Sequence, residues 1–287
     1  VERLLSLFEK YEISATWATV GLLGCENLDE ARSIFSVPPP NFFDKRLCTH
    51  TDVFGSSIEK LPDSILFSPD SISRIKDSQN QEVASHSFSH LYCLADGVTA
   101  QDFMNDAILM DRIAKKFNLK LNSFVFPRNQ SCLDFLPILS EMNYLNYRAG
   151  GSSWLSRGVK KKSLALRSAR VIDYVLGLSK ADIYSEDEIT NDNLVDVRPS
   201  RFLRCNGIKT NSLYQELCLK NIYREIDYAV KHNKVYHLWW HPHNFSISPY
   251  ESLRYLEQIL LYCRTYIVSE ELQSVNMSYF NANERRD

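Results

Sequence analysis

The chain has 287 residues, of which 44% are hydrophobic, enough for one sizeable core. Its 33 basic and 35 acidic residues leave a formal charge of -2, which gives no electrostatic case for nucleic acid or an anionic membrane. The cysteines (25, 48, 93, 132, 205, 218 and 263) are odd in number, scattered and free of CxxC pairs, which argues against a disulfide framework or a cysteine zinc site and for a reducing, cytoplasmic setting.

In chain order, "VERLLSLFEKY" reads as a helix, with Val1, Leu4, Leu5 and Phe8 as its apolar stripe. No cap precedes it, so the natural chain is expected to begin earlier. "ISATWATV" (13–20) reads as a buried strand. A Pro- and Phe-rich insertion follows, over about 36–65, and cannot hold a long regular element. "SPDSISRIKD" predicts a short helix with Ser68 as N-cap and Pro69 in its first turn. "EVASH" is a short strand running into "SHSFSH", and 99–117 is an amphipathic helix capped by Thr99. "NSFVFP" reads as a strand, "LDFLPILSEMN" as a helix started or kinked at Pro137, and "YLNYRAGG" as a strand ending in a glycine turn.

From 150 to 205 the pattern is less regular. A helix is expected near 165–178, with an acidic loop "SEDEITNDN" after it. The basic run "RGVKKK" (157–162) reads as a solvated loop. A long helix is expected over 212–232, then a strand "KVYHLWW", then a helix with a capping box from Ser248, Pro249 and Glu251. "TYIVS" reads as a last strand. Alternating strands and helices give an α/β class, organised as one domain over 1–287. No apolar run reaches the roughly 18 residues of a membrane span, and no signal peptide is visible.

Three stretches carry residues suited to chemistry. His86 and His90 are four apart at the end of a short strand, where two imidazoles can face one late divalent metal. The plain alternative is a hydrogen-bonded surface pair. "HLWWHPHNF" (237–245) holds His237, His241 and His243 beside Trp239 and Trp240. Strand alternation sends 237, 239 and 241 to one face and 238 and 240 to the other. A histidine there suits a general acid beside a sugar-stacking wall; an aromatic core strand is the plain alternative. "FVFPRNQ" (124–130) presents Arg128, suited to orienting a carboxylate or binding an anion, or else a plain exposed turn. An HExxH-type zinc peptidase fails, because no Glu follows His86.

In this order the three stretches resemble the polysaccharide deacetylase family, the NodB-homology carbohydrate esterases. "SHSFSH" is similar to its metal-binding motif, "FVFPRNQ" stands where its Arg/Pro motif would, and "HLWWHPHNF" where its catalytic-histidine motif would. "LFEKYEISATWATVG" resembles the stretch after the family's first motif, and "VDVRPSRFLR" a segment of its sugar-gene-cluster branch. The resemblance covers roughly 1–30 and 65–278. It implies a distorted (β/α)7 barrel and a hydrolase of carbon–nitrogen, non-peptide bonds. Such an enzyme takes acetyl groups from an N-acetylated sugar or polysaccharide with a divalent metal, zinc first. His86 and His90 would be ligands, and His241 and Arg128 catalytic. Trp239, Trp240, His243 and Asn244 would bind substrate.

The family's Asp-Asp pair on strand one, base and third ligand, would lie before Val1, so the first strand is expected to be absent and activity impaired. "YRAGGSSW" brings Arg148 and no acid where an orienting Asp is usual. The rival reading is a non-catalytic carbohydrate-binding or scaffold protein that keeps the barrel and has lost the chemistry.

Overall fold

The computed structural model describes residues 1–55, 58–150, 181–191, 194–205 and 213–281. The helix expected at 165–178 and the basic run at 157–162 lie outside the described residues. The chain divides into two compact units, Ala15–Ala149 with Asn191–Asp196 and Asn276–Asp287, and Val1–Ser14 with Gly150–Thr190 and Val197–Val275.

The first unit is built on a sheet of β1 (Ala15–Thr19), β2 (Gln81–Ser85), β3 (Ser123–Val125), β4 (Asn146–Arg148), β5 (Thr190–Asn191) and β6 (Leu194–Asp196). The order is β1-β2-β3-β4-β6-β5, and β1 to β2, β2 to β3, β3 to β4 and β4 to β6 are parallel. This is the α/β architecture expected: β1 to β4 lie in sequence order, and helices run between β1 and β2, β2 and β3, and β3 and β4. Glu82, Val83, Ala84 and Ser85 of β2 are all buried, as in an interior strand covered on both faces. The expectation of a buried first strand needs correction, because β1 lies at the sheet edge and Ala15, Thr16 and Trp17 are only half-buried.

Between β2 and β3 runs the helix Ala100–Lys116. Its capping box is formed, with Thr99 N–H donating to Asp102 Oδ2 at 2.8 Å and Asp102 N–H to Thr99 Oγ1 at 3.3 Å. Phe103, Asp106, Ala107, Met110, Ile113 and Ala114 form its buried face. Gly21 lets the chain pass this helix closely; a Cβ there would stand 2.7 Å from both Met110 Sδ and the Phe88 ring. The helix Pro69–Asp77 follows Ser68 as expected. Among its described residues the insertion contains only short helices, such as Thr49–Phe54. The segment after Cys132 is split into a 3-10 turn, Leu133–Phe135, and a short helix, Leu136–Glu141.

At the N-terminal end of these strands a buried carboxylate holds the C-terminal segment. Glu82 accepts from Thr16 Oγ1 at 2.7 Å, from Ser278 N–H at 3.0 Å and from the Ser123 hydroxyl. Thr16 Oγ1 accepts from Met277 N–H at 2.7 Å, and Asn146 Nδ2 donates to the Met277 carbonyl at 2.9 Å. Burial pushes the Glu82 carboxyl above its ordinary range, against the pull of those donors.

In the second unit the helix Glu2–Tyr11 packs against Pro249–Val268, which also packs against Leu213–Lys231. Lys10 and Tyr11 reach Glu257 at 2.7 and 2.9 Å, and Arg264 grips Glu12 with both terminal nitrogens. Val1 of the expected stripe is exposed, and Leu4, Phe8 and Tyr11 form the buried face. Strands β7 (Arg201–Phe202) and β8 (Leu238–Trp239) pair in parallel as a separate ribbon. "KVYHLWW" is therefore a strand over two residues only, with Val235 making a lone antiparallel bridge to Tyr184.

Two further expectations fail here. "TYIVS" is the last turn of Pro249–Val268: a helix already propagated by Tyr255, Leu256, Ile259 and Leu260 on its buried face carries β-branched residues along with it. Ser248 is its N-cap residue, but its side chain makes no cap hydrogen bond. Among the described residues no helix is long and apolar enough to cross a membrane.

Strand β1 pairs only with β2 among the described strands, whereas β3 is paired on both sides. Amides of Ala15–Thr19 should therefore exchange with solvent at least about tenfold faster than those of Ser123–Val125. Exchange read by mass spectrometry or NMR checks this; equal protection in both strands would contradict it.

Candidate functional site

The C-terminal ends of the parallel strands are the place where open and closed α/β sheets collect chemistry. Here they bring Thr19, Ser85, Val125, Arg148 and Asp196 to one end of the sheet unit. His86 follows β2 directly, and its N–H still donates to the Thr19 carbonyl at 2.9 Å. Its Nδ1 lies 2.7 Å from the Val125 carbonyl. A carbonyl only accepts, so Nδ1 carries the proton and the ring lone pair sits on Nε2.

The chain then turns sharply. Ser87 and His90 take left-handed backbone angles, with φ of 60° and 57°. Ser85 Oγ accepts from Ser87 N–H at 3.2 Å, and Ser87 Oγ accepts from Leu91 N–H at 2.8 Å. The main tether is Asp106, which the sequence reading missed. It accepts from Phe88 N–H at 2.7 Å, from Ser89 N–H at 3.0 Å and from the Ser89 hydroxyl at 2.5 Å. A readable signal existed: Asp106 stands on the apolar face of its helix, between Phe103 and Met110. A carboxylate at a core position implies donors from elsewhere.

The loop so held brings the His86 and His90 rings to 5.0 Å between centroids, 68° apart in plane. His90 also meets the Tyr92 ring at 5.4 Å, and the Arg128 guanidinium carbon stands 4.8 Å from the Tyr92 ring centroid. Burial, and then the Arg128 charge, hold the His90 pKa below its ordinary value. It is therefore neutral at pH 7, the form that binds metals or accepts a proton. Arg128 itself is exposed, with φ of 56°. Arg148 is buried at the end of β4 and donates to Asn129 Oδ1 at 3.0 Å; burial pushes its pKa down to about 10, so it stays charged.

A divalent metal would find two imidazole nitrogens here, one oriented through its second nitrogen as metal-ligating histidines usually are. The pair fits the nitrogen half of a metal site. Among the described residues no group of three or more His, Cys, Asp or Glu side chains assembles to complete one.

The second unit holds the other sequence-predicted residues. Trp239 of β8 lies 4.7 Å from Phe202 and 5.4 Å from His241, and His241 stacks nearly parallel on exposed His243 at 5.1 Å. Arg204 stands over Phe202. Trp240 instead meets Phe8 and Phe245, at 6.2 and 6.1 Å, so the two tryptophans have different neighbours, as strand alternation expects. Buried Asn244 accepts from His241 N–H at 3.2 Å, closing the turn after β8. Beneath the ribbon Arg201 forms a bidentate ion pair with Glu225, to which the Tyr236 hydroxyl also donates at 2.9 Å.

No protein-family model matches this sequence, and no curated protein does. Solved structures do. A protein assigned as a polysaccharide deacetylase from Mycobacterium smegmatis superposes with a TM-score of 0.54 at 10% identity, covering 97% of this chain and 74% of that one. A GH57-type branching enzyme from Pyrococcus horikoshii gives 0.49 at 10% identity, covering 97% and 63% of the two chains. A CE4 family pseudoenzyme from Bacillus anthracis gives 0.44 at 13% identity, covering 97% and 59%. The fold is that of the M. smegmatis protein, and the fold expected from the resemblance is the fold found.

Asp106→Ala should leave three donors without their acceptor and cost about 2–4 kcal/mol of stability by urea unfolding, against about 1 kcal/mol for Ser89→Ala. Burial raises the folded pKa of Asp106 above its ordinary 3.8. Stability from holding that proton is present below the unfolded value and is lost as pH rises through the folded one. The stability gap between wild type and Asp106→Asn should therefore shrink as pH rises above about 4, a trend that unfolding curves at stepped pH would check.

Proposed function

We propose that this protein acts on acetylated carbohydrate as a deacetylase-type hydrolase, with His86 and His90 as nitrogen ligands for a divalent metal, zinc first. The observation that supports this most is the loop 86–90. It is held by a buried carboxylate, it orients His86 through the Val125 carbonyl, and it sets two imidazoles side by side at the strand ends. A hydrogen-bonded surface pair would need neither the buried tether nor the left-handed angles at Ser87 and His90. The fold shared with a deacetylase-type protein agrees with this reading.

When bound, a divalent metal would polarise an acetyl carbonyl. The chain's own part is to present two lone pairs, with His86 fixed in one tautomer and His90 kept unprotonated by burial and by Arg128. The reading gives His241 the role of acid toward the leaving amine, with Trp239, Trp240, His243 and Asn244 contacting sugar. The group of tilted and edge-to-face rings of Phe202, Trp239 and His241 is an aromatic cluster of the kind on which sugars pack.

One observation favours the second reading, a carbohydrate-binding protein on a deacetylase fold: among the described residues no third donor joins the two histidines. The two readings separate in one experiment, zinc binding by calorimetry together with acetate release from an N-acetylated oligosaccharide. On the hydrolase reading, His86→Ala and His90→Ala each lower zinc affinity at least about tenfold. His241→Ala keeps the zinc and slows acetate release about 10²- to 10⁴-fold. Glycan binding with no acetate release at any zinc concentration would favour the binding protein.

A further inference from the structure

The hydrolase reading uses only the charge of Arg128, not its backbone setting. It follows Pro127 at the end of β3, and both it and Asn129 take left-handed backbone angles, with φ of 56° and 55°. Arginine rarely adopts that region, and such an angle persists where the surroundings impose it. The effect is to lay the guanidinium over Tyr92, 4.8 Å from the ring centroid, next to His90. Stacking fixes the plane of the group and leaves its N–H edge for another partner. Among the described residues that edge meets no carboxylate and makes no hydrogen bond.

The neighbouring strand adds a second guanidinium. Arg148 ends β4, and its Nη2 donates to Asn129 Oδ1, the residue beside Arg128. The acids near this end of the sheet are engaged elsewhere: Asp196 accepts from Ala149 N–H, and Asp106 is taken up by Phe88 and Ser89. Arg128 and Arg148 thus end adjacent strands, and Arg128 stands beside His90. A fork of N–H donors with a fixed plane matches an oxyanion.

We infer that Arg128 is a substrate-recognising residue, and that the glycan taken at this strand end carries an oxyanion, a uronate carboxylate or a sugar phosphate, close to the sugar facing His86 and His90. This rests on the carbohydrate reading above and deepens it. It makes Arg128 a specificity determinant rather than a participant in the chemistry.

The test is a binding titration of the full chain in EDTA, so that no metal holds the anion. The probes are an alternating N-acetylglucosamine–glucuronate tetrasaccharide, N-acetylglucosamine 6-phosphate, and a neutral N-acetylglucosamine tetrasaccharide. At least one charged probe should bind about tenfold or more tightly than the neutral one, and which one does identifies carboxylate or phosphate. Arg128→Gln should erase the preference, Arg128→Lys should keep part of it, and about 0.5 M salt should weaken it. Equal binding of all three probes, or a preference that survives Arg128→Gln, overturns the assignment. Acetate release is scored separately. A charge preference without hydrolysis upholds this inference and counts against the hydrolase reading; hydrolysis of the neutral probe with no charge preference does the reverse.

Discussion

Asp106 is a carboxylate inside the helix–sheet interface, and the site of the sheet unit depends on it. Three donors from the loop 86–90 converge on its two oxygens. Without an acceptor there, the Phe88 and Ser89 amides would be buried and unpaired, at about 1–3 kcal/mol each. With it, the loop closes tightly enough to require left-handed angles at Ser87 and His90, and that closure brings the two rings together. The same anchor docks the helix Ala100–Lys116 and so seats Phe103, Met110 and Ile113 in the core. Packing and site geometry therefore share one hydrogen-bonded group. A change at residue 106 would be felt in stability and in imidazole placement at once.

Glu82 plays the corresponding part at the other end of the strands. It gathers hydroxyls from β1 and β3 and an amide from the segment that follows residue 275. Among the described residues neither buried acid has a cation as a partner, and both are satisfied by neutral donors. That arrangement suits an interior position, where a bare ion pair would have to repay a large desolvation cost. It also separates the labours of the sheet. One end is closed by polar groups with no chemistry left to do, and the other presents imidazole and guanidinium groups to solvent or ligand.

Much of this was legible in the sequence. Each strand of the "strand, then chemistry" pattern exists, and "SHSFSH", "FVFPRNQ" and "HLWWHPHNF" each follow one. What failed did so for physical reasons. "TYIVS" has strand propensity, but a helix in progress overrides a weak local preference. "LVD" in 194–196 is a strand of the main sheet that three residues are too few to announce, since its burial comes from neighbours remote in sequence. Asp106 and Tyr92 were missed because their roles come from partners, a loop amide and a guanidinium.

The balance between metal and anion at the strand ends is an electrostatic question. Imidazole ligands bring no negative charge to offset a divalent ion, whereas a carboxylate ligand would. Arg128 acts the other way: its charge already works against protonation of His90. At an effective dielectric constant near 20, two unit charges about 5 Å apart interact by roughly 3 kcal/mol, and a divalent ion doubles that. A nearby oxyanion changes the sign of the sum. If the substrate supplies it, the guanidinium is neutralised when substrate arrives, and the histidine pair faces a lower positive potential than in the free protein. Substrate and metal would then favour each other's binding, because linkage is reciprocal. In that case a substrate anion would do for the site part of what a protein carboxylate does in a complete metal centre, and the two assignments, His86 and His90 for metal and Arg128 for oxyanion, support rather than exclude each other.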